Sequence, residues 1–383
     1  MSRFLRRWAR VAAILGGLAL ASCATRPPPT PALAPHSPEA QGASAAATTP
    51  PLWRGRARWV AVPFADLPGW EADRLVELWP ALRRGCVRPA PGWAALCQQA
   101  ASLDEPGDAA LRTWLQQRLQ PYRVEASDGA INGLLTGYFE PLVEASRQPN
   151  GAFRFAIYAP PSDLASRRPY WTRQQIDTLP AAQTGLRGRE IAYVADPLDA
   201  LVLHVQGSGR LRIKSANGSV KLVRAAFAGS NDQPYKSVGR WLIEQGELKP
   251  DQASWPAIRA WAQLNPKRVN ELLWSNPRFV FFREEPLPDP ALGPRGAQGV
   301  PLTPGRSIAV DPQSIPYGTP VWLASTEPLS SAPLRRLVMA QDTGSAITGA
   351  VRADYFWGWG EDAEQQAGRM KQPLRLWVLW PRP

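Results

Sequence analysis

The spacing of apolar residues changes along the chain from a helical period to a strand-like alternation. Leu, Trp and Ala first recur three and four residues apart, as in helices that bury one face. Asp108 stands before one such run and is a predicted N-cap. The predicted helices cover residues 71–84, 93–101, 108–119, 235–246, 254–264, 267–274 and 361–370.

Short stretches with alternating polar and apolar residues dominate from Gly133 onward. The clearest pair lies in residues 210–227, where Asn217-Gly218 supplies the turn of a predicted hairpin. The other predicted strands cover residues 133–146, 153–158, 278–283, 307–310, 319–324, 334–341 and 374–380. Many short strands with few long helices predict a small barrel in the last part of the chain.

Two changes in composition divide the body of the chain. The texture changes near residue 148, and a Pro/Gly-rich stretch interrupts the pattern near residue 288. Residues 53–147 and 289–383 are therefore predicted to form one domain, with residues 148–288 inserted in it as a second, β-rich domain. The predicted fold class is mainly β, with several helices.

The first 22 residues have the pattern of a sorting signal. Four arginines lie among the first ten residues, and the apolar run at 11–20 is too short to span a bilayer comfortably. The following Leu-Ala-Ser-Cys23 resembles the lipobox of bacterial lipoproteins, which implies cleavage before Cys23 and its acylation. Ala24 in place of Asp implies the outer membrane. An ordinary secretory signal with a chance Cys is the alternative.

Residues 23–52 are rich in Pro, Ala, Ser and Thr and have no apolar period. Such a segment cannot bury enough surface to offset the entropy lost on ordering, so it is predicted to be a tether. It would let the body of the protein face the periplasm while Cys23 stays fixed to the outer membrane.

The net charge narrows the class of partner. The chain carries +12, and removal of the four signal arginines leaves about +8, which favours an acidic partner. Nucleic acid is not predicted, because there is no basic helix, RNP-like aromatic pattern or zinc spacing. A polyanionic polymer of the cell wall fits an exported protein better.

The remaining cysteines and histidines limit the chemistry. Cys86 and Cys97 flank a Pro/Gly turn and are predicted to form a disulfide in an oxidising compartment, with two buried free thiols as the alternative. His204 is the only histidine in the body. One histidine argues against Ser-His-Asp and Cys-His machinery and against His-rich metal sites. No metal or other cofactor is predicted.

Two carboxylates twelve residues apart are the candidates for acid catalysis. Asp342 follows a predicted strand and opens a Gly/Ser-rich turn, where Asp side chains commonly bond backbone amides. Asp354 stands directly before Tyr-Phe-Trp, and lost hydration among aromatic rings raises a carboxyl pKa towards that of a general acid. The alternatives are a turn-forming role for Asp342 and a capping or rim role for Asp354.

Six motifs carry a resemblance to a known family, and they occur in the same order. They are Thr136-Gly-Tyr-Phe-Glu-Pro141, Val205-Gln-Gly-Ser-Gly-Arg210, Tyr235-Lys-Ser-Val-Gly-Arg240, Phe279-Val-Phe-Phe-Arg283, Pro301-Leu-Thr-Pro-Gly-Arg-Ser-Ile-Ala-Val-Asp311, and Ala340-Gln-Asp-Thr-Gly344 through Arg352-Ala-Asp354. Over roughly residues 125–383 the chain thus resembles the membrane-bound lytic murein transglycosylase A family.

The resemblance implies a double-psi β-barrel built from both ends of the body, with the inserted domain across a glycan-binding groove. It also implies that the aspartate at the position of Asp354 is the catalytic acid and that Asp342 supports it. Asp311 matches the third aspartate of the family's C-terminal module and is assigned to the groove, although in Val-Asp-Pro it could simply order a turn. Ser345 and Phe139 depart from the family pattern without touching the carboxylates.

Five further residues are assigned to the groove. Tyr138 and Glu140 are predicted to line it, since an aromatic face packs on sugar C–H groups; the alternative for Glu140 is a solvated strand end. Gln206 and Ser208 could bond sugar hydroxyls and acetamides, or could belong to a mere turn. Tyr235 is assigned through its motif.

The predicted function is non-hydrolytic cleavage of the MurNAc–GlcNAc β-1,4 bond in peptidoglycan, leaving 1,6-anhydro-MurNAc. The predicted partners are glycan strands and the outer membrane, and this address is compatible with a wall-remodelling complex. A catalytically silent wall-binding lipoprotein is the alternative from another class. An inverting hydrolase with two distant carboxylates is a third reading.

Overall fold

The computed structural model describes residues 50–214 and 218–382. The predicted signal, Cys23, most of the predicted tether and the predicted turn residue Asn217 lie outside these ranges. The α-helices are α1 (Trp79–Gly85), α2 (Ala94–Ala101), α3 (Asp108–Arg118), α4 (Arg173–Thr178), α5 (Pro180–Leu186), α6 (Pro197–Gln206), α7 (Val238–Glu244), α8 (Trp255–Leu264), α9 (Val269–Ser275) and α10 (Glu361–Arg369). Short 3-10 turns cover Phe64–Asp66, Trp70–Ala72, Leu75–Glu77 and Pro266–Arg268.

Strands form two separate sheets. In chain order they are β1 (Leu52–Arg54), β2 (Ala57–Ala61), β3 (Leu119–Ala126), β4 (Gly133–Glu140), β5 (Leu142–Ser146), β6 (Phe155–Tyr158), β7 (Glu190–Val194), β8 (Gly209–Lys214), β9 (Val220–Ser230), β10 (Val280–Pro286), β11 (Ser307–Val310), β12 (Thr319–Thr326), β13 (Pro333–Asp342), β14 (Arg352–Trp359) and β15 (Lys371–Pro381). The prediction of a mainly β protein with several helices is confirmed.

The larger sheet is barrel-like. Its nine strands follow the order β1-β2-β3-β15-β12-β13-β11-β14-β4. The first part of β15 also pairs with β4, so the strands from β15 round to β4 form a nearly closed ring. Within it β11 runs parallel to β13 and β14 runs parallel to β4, while β12 is antiparallel to both of its neighbours.

Both faces of the barrel strands are covered. Val321 and Leu323 of β12 pack in one apolar cluster with Val338 and Val378. Trp322, which points to the opposite face, packs in a second cluster with side chains of α1, α2 and α3. Alternate residues of one strand thus enter two cores, and full burial of each large apolar side chain stabilises by roughly 1.5–3 kcal/mol.

The smaller sheet has six strands in the order β10-β9-β8-β5-β7-β6. The antiparallel pairing of β8 with β9 confirms the predicted hairpin. The pattern of the sequence does not reveal α6, because most of its residues are apolar and buried rather than confined to one stripe. Helices α7, α8 and α9 pack together in a separate apolar cluster with α6.

The chain changes sheet earlier than the composition predicts. β4 belongs to the barrel-like sheet, whereas β5, only two residues later, pairs with β8 and β7 of the smaller sheet. The chain therefore passes from one sheet to the other at Pro141, and the domain boundary near residue 148 stays a prediction. The predicted strand over 133–146 continues through Pro141 with one alternating pattern, and that period cannot show which sheet each part joins.

The predicted helix over residues 71–84 is the main secondary-structure error. Only its last turns are α-helical, and Pro80 stands at the start of α1. The carboxylate of Asp73 accepts hydrogen bonds from Arg306 and from the Leu337 amide, and this captures the segment against the sheet. Asp108 is not the N-cap of α3 either, because its carboxylate accepts from the Val76 amide and Gly107 caps the helix.

A disulfide joins the residue that caps α1 to a residue of α2. Cys86 and Cys97 are bonded, with their Cα atoms 5.2 Å apart and a sequence separation of 11. The bond closes a short loop on the outside of the barrel-like sheet.

We expect replacement of both Cys86 and Cys97 by Ser to lower the free energy of unfolding by about 2–3 kcal/mol, because the unfolded chain then gains the freedom of an open loop. Urea unfolding of the oxidised protein and of the double variant measures this. Two alkylatable thiols in the native, unreduced protein would contradict the bond.

Candidate active site

Two strands place Asp342 and Asp354 on either side of a third. Ala309 of β11 pairs with Asp342 of β13 and with Asp354 of β14. Residues opposite one another on adjacent strands point to the same face, so both carboxylates lie on one face with the small Ala309 side chain between them. Two strand spacings separate their Cα atoms by roughly 10 Å. Both side chains are half-buried.

Asp354 is held by the neighbouring strand β4. Thr136 is its partner in the parallel pairing, and the Thr136 hydroxyl donates to Asp354 Oδ1 at 2.6 Å. Arg352 donates to the oxygen of the same hydroxyl at 2.9 Å, which orients the hydroxyl proton towards the carboxylate. The Thr136 side chain therefore connects a cation to the carboxylate without a direct ion pair.

Asp342 is held by three donors, two of which lie far from it in sequence. The Tyr138 hydroxyl donates to Oδ2 at 3.0 Å. The amide of Ala297 donates to Oδ1 at 3.0 Å, and the amide of Thr343 also bonds the carboxylate. These donors fix the plane of the carboxylate. A residue that only forms a turn would need donors from that turn alone.

Burial raises the pKa of both carboxyl groups. The pKa of Asp342 rises from 3.8 to about 6, mainly because burial disfavours its charge, with the charge of Asp354 adding to the effect and its three donors opposing it. Burial also raises the pKa of Asp354, against the hydrogen bond from Thr136 and the charge of Arg352. The charge of Asp354 therefore disfavours ionisation of Asp342.

Tyr138 remains a proton donor throughout. Burial, followed by the charges of Asp342 and Asp354, raises the pKa of its hydroxyl well above 10. The ring packs on Phe356, with the ring centres 5.2 Å apart. Tyr138 is 9% exposed, so it supports Asp342 and presents little of its ring face to a ligand.

The smaller sheet's side of the site contributes Tyr235 and Gln206. Burial raises the pKa of Tyr235, the hydrogen bond with Ser237 opposes this rise, and the charge of Asp354 adds to it. Gln206 ends α6 and accepts the amide hydrogen of Phe139 at 3.1 Å, so it holds β4 in place. Ser208 is buried after Gly207, whose φ of 80° ends the helix.

Two carboxylates assigned to the groove are buried and bonded by other groups of the protein. Glu140 is completely buried, and its carboxylate accepts hydrogen bonds from Arg210 at 2.8 Å and Arg224 at 2.5 Å. Asp311 is 5% exposed and accepts the amide hydrogens of Gln313 and Gly349. Protein donors bond both oxygens of each carboxylate, which favours a structural role, and contact of Glu140 and Asp311 with substrate stays a prediction.

Three groups of the site escape the sequence analysis. Thr136 lies two residues before Tyr138 in a quoted motif, and that spacing on a strand was the available signal. Arg352 stands two residues before Asp354 and could have been found in the same way. The Ala297 amide carries no side-chain signal, because any residue except Pro could supply it.

No group of three or more His, Cys, Asp or Glu side chains within residues 50–214 and 218–382 is arranged to hold a metal ion. His204 lies away from such chemistry, buried against Phe279 and Phe282 with Arg173 2.9 Å from Nδ1. Burial and the charge of Arg173 lower its pKa well below 6.5, so it stays neutral. Among these residues no helix is long and apolar enough to cross a membrane.

Comparison with known proteins identifies both parts of the chain. Residues 134–283 match the model of the MltA specific insert domain, and residues 306–380 match that of the 3D domain. The membrane-bound lytic murein transglycosylase A of Vibrio cholerae is 34% identical over 282 residues, 72% of each chain.

Solved structures are similar over nearly the whole described body. A lytic transglycosylase, LtgG, of Burkholderia pseudomallei is 46% identical and superposes with a TM-score of 0.59, covering 88% of this chain and 99% of that one. The E. coli MltA structure with bound chitohexaose is 28% identical with a TM-score of 0.66, covering 88% of this chain and 96% of the other.

We expect Asp342→Asn to stabilise the protein at pH 8 but not at pH 4. The folded-state pKa of about 6 lies above the ordinary 3.8, so the stability present below pH 4 is lost as the pH rises through 6. A neutral amide removes that loss, by about 1–2 kcal/mol at pH 8. Urea unfolding at both pH values measures it, with the exposed Asp128→Asn as control. Equal free energies of unfolding for wild type and variant at pH 8 would contradict the raised pKa of Asp342.

Proposed function

This chain belongs to the membrane-bound lytic murein transglycosylase A family, and we propose that it cleaves peptidoglycan glycan strands without water, leaving 1,6-anhydro-MurNAc ends. The observation that carries the proposal is the pair Asp342 and Asp354 on one face, with raised pKa values and the small Ala309 between them. The relative solved with chitohexaose supports a glycan as the ligand.

Asp354 is proposed as the acid and then the base. Its carboxyl proton passes to the glycosidic oxygen as the bond from that oxygen to MurNAc C1 breaks. The resulting carboxylate accepts the proton of the C6 hydroxyl of the same MurNAc while O6 bonds to C1. The proton lost in the first step is regained in the second, so no cofactor or second nucleophile is needed.

The intramolecular attack explains why one carboxyl group suffices. A nucleophile attached to its own electrophile has a large effective molarity, so the protein need not hold and activate a water molecule. It must instead keep water away from C1. Tyr235, whose hydroxyl senses the charge of Asp354, is proposed to cover the reacting sugar.

Asp342 is proposed to act through its charge. Ionised, it would stabilise positive charge on the sugar ring and favour the proton on Asp354. The donors Tyr138, Ala297 and Thr343 keep its carboxylate available for this role. Below about pH 6 Asp342 takes up a proton and loses this charge, so activity should fall on the acidic side of the pH profile.

The barrel-like sheet is proposed to be a double-psi β-barrel. The ring of β15, β12, β13, β11, β14 and β4, with its two parallel pairs, supports this topology. Both ends of the body contribute strands to this sheet, and we propose that the segment from Leu142 to Pro286, which carries the smaller sheet, is the inserted domain that faces the barrel across a glycan-binding groove.

Cys23 is proposed as a lipid anchor in the outer membrane, with the body facing the periplasm. The relatives are named membrane-bound, and the tetrapeptide before residue 24 supports lipidation. Several acyl chains give firmer attachment than a single chain. A silent wall-binding lipoprotein, the alternative function, would have no use for two carboxyl groups with raised pKa values at one site.

We expect Asp354→Asn to reduce turnover of purified sacculi by at least about a thousandfold while sacculus binding persists, because the amide can neither donate to the glycosidic oxygen nor accept from O6. Mass spectrometry of the released muropeptides should show ends lighter by one water than hydrolysis products. Asp128→Asn, at an exposed position, is the control. Reducing-end MurNAc as the main product, or full activity in Asp354→Asn, would refute the mechanism.

A separate prediction concerns the location of the protein in the cell. Cys23→Ser should move the protein from the membrane fraction to the soluble periplasmic fraction, since no acyl chain can then be attached. Fractionation with detection of the acylated peptide measures it. Retention in the membrane of a processed Cys23→Ser protein would count against the anchor.

A further inference from the structure

The loop that supplies the third donor to Asp342 is pressed tightly against β13. The amide of Ala297 donates to Asp342, and the next amide, of Gln298, donates to the carbonyl oxygen of Gln341 at 3.0 Å. A Cβ atom at Gly296 would lie only 2.4 Å from the same carbonyl oxygen. The loop backbone therefore sits where it does only because residue 296 has no side chain.

A buried side chain holds this loop from the other side. Gln298 is 5% exposed, and its Nε2 donates to the carbonyl oxygens of Gly85 at 3.0 Å and Arg88 at 2.8 Å. These two carbonyls flank Cys86, at the end of α1. Both hydrogens of the amide group are used, so rotation of the side chain would leave two carbonyls without their donors.

A second glutamine makes the matching connection from β13. Gln341 is fully buried next to Asp342, donates through Nε2 to the Ala81 carbonyl at 3.1 Å, and accepts from the Ser307 hydroxyl at 2.7 Å. Helix α1 and the residues after it thus fix both chain segments that meet at Asp342.

We propose that Gln298 is a positioning residue for the catalytic pair, which fixes the Ala297 amide against Asp342 and so keeps the Asp342 carboxylate in its orientation towards Tyr138. It acts through the loop and does not itself touch the substrate. The inference rests on the proposed function only for its effect on turnover, because the effect on Asp342 can be measured without substrate.

Two variants loosen the loop by different routes. Gln298→Leu removes both anchoring hydrogen bonds, and Gly296→Ala pushes the loop away from β13 while Gln298 stays intact. Gln120→Leu is the matched control. Gln120 also donates through Nε2 to two backbone carbonyls, those of Val62 and Pro121, and makes no contact with Asp342.

The first measurement is a titration of the Asp342 side-chain carbon by NMR in protein with 13C-labelled aspartate, assigned with Asp342→Asn. Both loop variants should titrate at higher pH than wild type, by about half a pH unit, because an amide hydrogen that favours the charged form is lost. Gln120→Leu should titrate like the wild type even if it is less stable.

The second measurement is the pH dependence of sacculus cleavage. The loop variants should lose about tenfold in kcat with little change in KM, and the acidic limb should move to higher pH in parallel with the titration. Loop variants that lose stability like Gln120→Leu, with unchanged Asp342 titration and unchanged acidic limb, would refute the positioning role. If the wild type cleaves no peptidoglycan, the proposed function fails while the titration still decides the role of Gln298.

Discussion

The buried carboxylate of Glu140 holds the two sheets in their relative position. Glu140 is the last residue of β4, and its carboxylate accepts hydrogen bonds from Arg210 of β8 and Arg224 of β9. It therefore joins the barrel-like sheet to the smaller one. Both arginines also donate to the carbonyl of Leu292, on the segment where the chain returns to the barrel. The guanidinium of Arg210 lies 3.9 Å from the ring of Trp359 in β14. Breaking such a buried cluster by removing one partner is strongly destabilising, commonly by about 3–5 kcal/mol, so the two sheets are firmly joined at this point.

One strand links this junction to the chemistry. Thr136, Tyr138 and Glu140 alternate along β4 and point to the same face, where they bind Asp354, Asp342 and the two arginines in turn. Gly137 and Phe139 point the other way and pack against α10. A Cβ atom at Gly137 would lie 2.8 Å from Ala367. The period of the strand therefore places both carboxylate-binding hydroxyls and the sheet junction in one line, while α10 holds the strand from behind.

The electrostatics of the site and the stability of the fold oppose each other. A pKa of about 6 for Asp342 means that the folded state resists its charge, yet the proposed chemistry requires that charge. Hydrogen bonds from Tyr138, Thr343 and Ala297 lower the pKa of Asp342, but not enough to cancel the effect of burial. The loop around Gln298 keeps the Ala297 amide in place. Active sites commonly retain such unfavourable groups because the rest of the fold is stable enough to hold them.

The sequence by itself determined the features that depend on neighbours along the chain. Alternation predicted the strands and the 210–227 hairpin, and the spacing of motifs singled out Asp342 and Asp354. Tertiary structure decided what each polar group bonds, because those partners are distant in sequence. The sequence predicts that Glu140 and Asp311 line the groove, whereas in the folded chain their carboxylates accept hydrogen bonds. The donors are Arg210 and Arg224 for Glu140, and the Gly349 amide for Asp311. The sequence likewise predicts Asp73 to lie in a helix. In the folded chain its carboxylate accepts a hydrogen bond from Arg306, more than two hundred residues away. A carboxylate of either kind has the same local pattern, and only the folded chain determines whether its oxygens are already occupied or remain free for chemistry.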